Sequence, residues 1–259
     1  MVIAEEFVFL HAPKMGGTFV TEVLQDIYAG QCSKTLIVQD KHGGADRIPA
    51  AHRSKPRVAT VRNPFDYYAS LYQFGWWINR DLQFGESLWD AEKMRRRFVR
   101  YPDLTFDEFI EGMLEIGYRG LRDDPALADR LRLGPQTVSV LRSSVPNFIE
   151  LLERFLVHRD LAELTCRVAE TRFLQTEALN RQTHRWLLDL GVAPGIARPV
   201  LFKSKVQPLN TPDGQVLDNN HGQPRHIHWS ALFTERTRAA VLEREWLLLK
   251  LFPEYAWFL

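Results

Sequence analysis

Pro13-Lys14-Met15-Gly16-Gly17-Thr18 places a lysine, two glycines and a hydroxyl directly after the short apolar run Phe7-Val8-Phe9-Leu10. These residue types suit a phosphate. Glycines let main chain approach an anion, the free N–H groups of a following helix point at it, and the helix dipole favours negative charge there. Lys14 adds a point charge and Thr18 a hydroxyl. The order matters: a Walker A loop carries its lysine after the glycines and its hydroxyl on magnesium, whereas here lysine comes first and nothing demands a metal. A second basic position is Arg62, at the end of Arg57-Val58-Ala59-Thr60-Val61, with Ser70 eight residues on. Arginine recognises phosphate with a fork of donors, and strand C-termini are where open α/β sheets bind ligands. The structural alternative for Arg62 is an ion pair with Asp66. A third position is His42, in Asp40-Lys41-His42-Gly43-Gly44. An imidazole titrates near neutral pH and suits a general base; Asp40, Glu177 and His11 are reserves, His11 being better suited to bracing the lysine-glycine turn.

The elements that must hold these residues alternate. Phe7–Leu10 reads as a strand buried on both faces, followed by a helix carrying Val20, Val23, Leu24 and Ile27. Thr35–Val38 and Arg57–Val61 read as further strands, and Arg172–Gln175 as another. Asn63-Pro64 opens a helix with a cap, a first-turn proline and an acid at Asp66. Thr105 and Glu108 form a capping box, and Thr234 caps a final helix ending near Phe252. This predicts an α/β fold: a single domain with a central parallel sheet flanked by helices. Residues 76–145 form a helical region, and 194–230, rich in Pro, Gly, Asn and His, a long loop over the cleft.

The two glycine- and arginine-centred motifs, with Tyr72 completing the second, resemble the sulfotransferases of the cytosolic and carbohydrate type. That resemblance implies a P-loop-NTPase-like sheet and the sulfate donor 3′-phosphoadenosine 5′-phosphosulfate as co-substrate, with no metal required. It implies that Lys14, Met15, Gly16, Gly17, Thr18 and Phe19 hold the 5′-phosphosulfate, and that Arg62 and Ser70 hold the 3′-phosphate. Met15 and Phe19 depart from the family, which commonly has hydroxyl residues there. Family members carry a histidine near His42, which supports it as the base, and place basic groups on the 3′-phosphate from a late loop, which makes Lys203, Lys205 and Arg225 candidates. Phe173–Leu179 and Phe233–Tyr255 extend the similarity over roughly the whole chain. The acceptor would be a hydroxyl of a small molecule or carbohydrate, met by residues 76–145 and the late loop. A nucleoside-triphosphate-dependent phosphotransferase and a non-catalytic nucleotide-binding module are the other classes open.

Composition narrows the partners. The chain has 259 residues, 45% hydrophobic and 25% charged, with a net charge of +1. That balance argues against a dedicated nucleic-acid binder. No apolar run approaches the ~20 residues of a membrane span, and Glu5 and Glu6 stand where a signal peptide needs basic residues. Two cysteines, Cys32 and Cys166, form no disulfide framework, and His221, His226 and His228 lack Cys or acidic partners for a metal; a cytoplasmic location is expected. The run Lys93, Arg95, Arg96, Arg97 and Arg100 reads first as a solvated helix face, and second as an attractor for an anionic acceptor. Trp76, Trp77 and Trp89 read as packing rather than a sugar-stacking wall.

Overall fold

The computed structural model describes residues 1–30, 35–75, 90–117, 127, 130–204 and 228–258. Cys32, Trp76, Trp77, Trp89, Lys205, His221, Arg225 and His226 lie outside the described residues. Among the described residues the chain forms an α/β protein with one five-stranded sheet. It divides into two compact units, Met1–Arg62 with Ser139–Gln207, and Asn63–Val138 with Pro208–Leu259.

The first unit holds the sheet. Its strands are β1 (Val2–Ile3), β2 (Val8–Leu10), β3 (Ile37–Val38), β4 (Arg57–Val61) and β5 (Thr171–Gln175), in the order β3-β1-β2-β4-β5. β2, β4 and β5 run parallel, with Leu10 opposite Ala59 and Val61 opposite Gln175. β1 is antiparallel to both β2 and β3. The sheet is therefore mixed, which corrects the parallel sheet expected from sequence. The overlooked strand is two residues long, too short to show a period. It folds back on β2 through a tight turn in which Ala4 N donates to Phe7 O at 3.0 Å. β3 is also shorter than expected, and at the sheet edge Ile37 and Val38 are 42% and 47% exposed.

Alternation in β2 divides the core. Phe7 and Phe9 pack with Val58 and Leu174 against helix α1 (Gly17–Ala29), while Val8 and Leu10 pack with Ile3, Ala59 and Ile48 on the opposite face. The first cluster also takes Leu179, Trp186 and Leu187 from a helix spanning Leu179–Asp189. A strand sandwiched in this way must be apolar at every position, and Phe7 to Leu10 are all fully buried. Residues 194–202 are not loop: Pro194–Ala197 is a short helix and Arg198–Phe202 a 3₁₀ turn. Proline suits a first helical position as well as a loop, which explains the misreading. Residues 205–227 lie outside the described residues.

The second unit is helical. α2 (Pro64–Phe74) starts as expected, with Asn63 Oδ1 accepting from Phe65 N at 2.9 Å and Pro64 in the first turn. The Thr105–Glu108 capping box is present at the start of the helix Phe106–Glu111. The final helix is broken into Glu235–Arg244 and Trp246–Leu251. At the break the carboxylate of Glu245 accepts from Gln136 N (2.9 Å), Thr137 N (2.8 Å), Thr137 Oγ1 (2.6 Å) and Tyr68 Oη (2.6 Å). It thereby caps the helix Pro135–Ser144 from a distant part of the chain. The basic run is matched residue by residue. Arg96 pairs with Glu92 and Arg97 with Glu111, while Arg100 lies 3.3 Å from Glu108 and Lys93 3.9 Å from Asp90. The guanidinium of Arg95 lies 5.6 Å from the ring centroid of Tyr101. That pattern is a solvated, charge-balanced face.

Candidate anion site at the C-terminal edge of the sheet

Parallel strands end on one edge, so the residues following β2, β4 and β5 gather there. β3 runs in the same direction as β2, because each is antiparallel to β1. His11 to Thr18, Arg62, Thr176 and His42 thus share an edge, and their contacts confirm it. Arg62 Nη1 donates to Lys14 O at 3.1 Å. Thr176 Oγ1 donates to Val61 O at 2.7 Å, and its methyl lies 3.3 Å from where a Cβ on Gly16 would sit. His42 Nδ1 lies 3.2 Å from His11 O.

The turn itself is built from unusual backbone. Lys14 (φ 60°) and Gly16 (φ 84°) both occupy the left-handed region. Glycine takes it freely; lysine pays about 1 kcal/mol, strain that tends to collect at binding sites. Gly17 is required for a different reason. A Cβ there would lie 2.3 Å from His11 Cδ2, so the buried imidazole of His11 occupies the space. The ring of His11 braces the start of α1, the role its position suggested. Met15 and Phe19 are 0% and 6% exposed. Their side chains belong to the core, and only their backbone amides are left for an anion.

α1 starts without a side-chain cap and without an acid in its first turn. α2 has both, Asn63 and Asp66. The first N–H groups of a helix have no partner inside it, and at α1 no side chain caps them. Lys14 has its pKa lowered to about 8, first by burial and then by Arg62 and Lys41. Arg62 and Lys41 therefore both act against the charge of Lys14 near a helix N-terminus, where an anion would favour the charged form. Lys41 is the functional candidate that sequence reasoning missed. A single exposed lysine beside a loop gives no signal until the fold brings it to the turn.

The pKa of His42 is lowered, chiefly by burial, against an opposing contribution from its contact with the His11 carbonyl. Burial, His42 and Lys41 push His11 down to about 3. Both shifts favour the neutral ring. The two rings meet edge to face with centroids 5.0 Å apart. The loop carrying His42 is pinned on several sides. The Met1 nitrogen donates to Gln39 O and Asp40 O, both at 2.7 Å. Gly43 N donates to Asp40 O at 2.7 Å, and a Cβ on Gly44 would lie 2.2 Å from Arg142 O.

Ser70 lies half-buried on α2, in the second unit. Another expected member, Lys203, is engaged within the first unit. Lys203 Nζ pairs with Asp26 Oδ2 at 2.9 Å. Asp26 is nine residues beyond Gly17 on α1, about 14 Å along the helix. The structure therefore holds the Lys203 ammonium toward the far end of α1, not at the turn. There it lines a groove of about 700 Å³ with Val23, Ile27, Ile196, Val200 and Phe202. Lys205 lies outside the described residues. Among the described residues no helix is long and apolar enough to cross a membrane.

Compared with known protein families, curated proteins and solved structures, the chain matches none of them.

Proposed function

We propose that this chain is a sulfotransferase, moving a sulfuryl group from 3′-phosphoadenosine 5′-phosphosulfate to a hydroxyl of a small molecule or carbohydrate on a P-loop-like sheet edge. The observation that carries the reading is the meeting of Lys14 and Arg62 at the uncapped N-terminus of α1, with Arg62 bonded to the Lys14 carbonyl. A donor whose ribose carries phosphate at both its 3′ and 5′ positions calls for two cationic positions at one edge, and these two residues would supply them. The backbone amides from Gly16 to Phe19 and the Thr18 hydroxyl would hold the phosphosulfate end. Lys14 would neutralise charge growing on the bridging oxygen as the sulfur–oxygen bond breaks. Arg62 would take the 3′-phosphate. The resemblance gives Ser70 a share in that phosphate, but the proposal rests on Lys14 and Arg62. His42 would accept the proton of the attacking hydroxyl. The new bond joins acceptor oxygen to sulfur, and adenosine 3′,5′-bisphosphate leaves.

The test is incubation with the sulfate donor and a library of hydroxyl acceptors, read by mass spectrometry. An added sulfo group on one acceptor class, without magnesium, supports the reading. Magnesium-dependent turnover of ATP, or tight nucleotide binding with no transfer to any acceptor, would overturn it in favour of a kinase or a binding module.

A further inference from the structure

The two ring nitrogens of His42 are not equivalent. Nδ1 lies 3.2 Å from the carbonyl oxygen of His11. A carbonyl oxygen only accepts, so this is a hydrogen bond when Nδ1 carries the proton. In a neutral imidazole the other nitrogen is then a bare acceptor. We propose that the main-chain carbonyl of His11 is a positioning group that holds His42 in its Nδ1–H tautomer, leaving Nε2 as the proton-accepting nitrogen. The tautomer follows from geometry. Its use as a base rests on the sulfuryl-transfer reading above.

Both partners are held firmly. His11 follows β2 directly, and its ring fills the space beside Gly17 so closely that a Cβ there would meet three of its atoms within 2.8 Å. The His42 loop is tied down by the Met1 nitrogen and by the close packing of Gly44 on Arg142. The groups that act on the His42 ring are Lys41, Asp40, the Met1 nitrogen and His11. Desolvation is the largest influence on the ring and lowers its pKa, the direction that suits a base awaiting a proton. One residue thus serves two ends of the reaction: the His11 ring sets the start of α1, and its carbonyl sets the base. When Nε2 takes the acceptor proton, the imidazolium keeps its Nδ1–H bond to the carbonyl, and the developing positive charge sits against a carbonyl dipole.

The test is nuclear magnetic resonance on the full chain labelled with ¹⁵N-histidine at neutral pH, with His42→Gln used to assign the His42 signals. The long-range proton–nitrogen pattern separates the two nitrogens, because Nε2 couples strongly to both ring protons. The expected result is a protonated, pyrrole-type Nδ1 and an unprotonated, pyridine-type Nε2. A proton on Nε2, or fast averaging between the tautomers, overturns the inference even in an active enzyme. Failure of the sulfate-transfer assay would sink the functional reading and leave this pattern as stated.

Discussion

Glu245 and Lys14 each hold charge away from bulk water, but in opposite company. Glu245 is fully buried and accepts four hydrogen bonds, from a tyrosine, a threonine hydroxyl and two amides at the start of a helix. Gly134 leaves room for its carboxylate, since a Cβ there would lie 2.2 Å from Oε1. Lys14 is half-buried at another helix start, and Arg62 and Lys41, charges of its own sign, are among the groups that act on it. A charge that serves stability is saturated with partners from within the fold. A charge that serves a ligand is commonly found with its pKa shifted by burial and by like charges. The first arrangement should be costly to break; the second should cost the fold little and the function much.

The largest expected effect is on the Glu245 side. Glu245→Ala leaves four donors without their acceptor and should cost about 3–5 kcal/mol, read as a lowered midpoint in urea denaturation. A loss below ~1 kcal/mol would show that the cluster is not a keystone of its unit. Next comes His42→Gln, which should cut sulfate transfer by about 10²–10⁴-fold while leaving adenosine 3′,5′-bisphosphate affinity within about twofold, as a base off the nucleotide predicts. Lys14→Met should sharpen the contrast directly. Nucleotide affinity should fall about tenfold or more, as expected for a charge-assisted bond. Stability should not fall and should rise if anything, because the lysine gives up desolvation and repulsion with its charge.

A pH series separates the same two roles without mutation. Lys14 is lowered to about 8 in the folded chain from an ordinary value of 10.5. Between those values the unfolded chain binds more protons, so this group makes stability rise with pH across that window. Anion binding needs the protonated ammonium, so affinity for the bisphosphate should fall as pH rises through about 8. Opposite slopes in denaturation and calorimetry are the expected signature; parallel slopes would remove Lys14 from the site. The smallest effect is Thr105→Ala, which removes one half of a capping box and should cost about 1 kcal/mol, with no change in nucleotide binding.

What could be read in advance was local. The caps at Asn63, Thr105 and Thr234 came out as expected because a cap is decided by three or four neighbouring residues. β2, β4 and β5 were legible from apolar runs, and parallel order then placed Lys14 and Arg62 on one edge. What was hidden depends on distant partners. Val2–Ile3 shows no period on its own and becomes a strand by pairing with Val8–Phe9 and Ile37–Val38. The break at Glu245 has no proline or glycine to announce it; the carboxylate is drawn to Gln136 and Thr137, more than a hundred residues earlier. Lys203 looked like a late-loop phosphate ligand, and only the packing of Arg198–Phe202 beside α1 shows it held by Asp26. Lys41 carried no sequence signal beyond its neighbour His42.

Isothermal titration calorimetry of adenosine 3′,5′-bisphosphate into the intact chain, Lys14→Met and Arg62→Ala tests the central claim most directly. The account predicts one-to-one binding by the intact chain, weakened at least tenfold in each variant while neither variant's thermal midpoint falls far below that of the parent. No binding by the intact chain, or equal binding by all three, would contradict it.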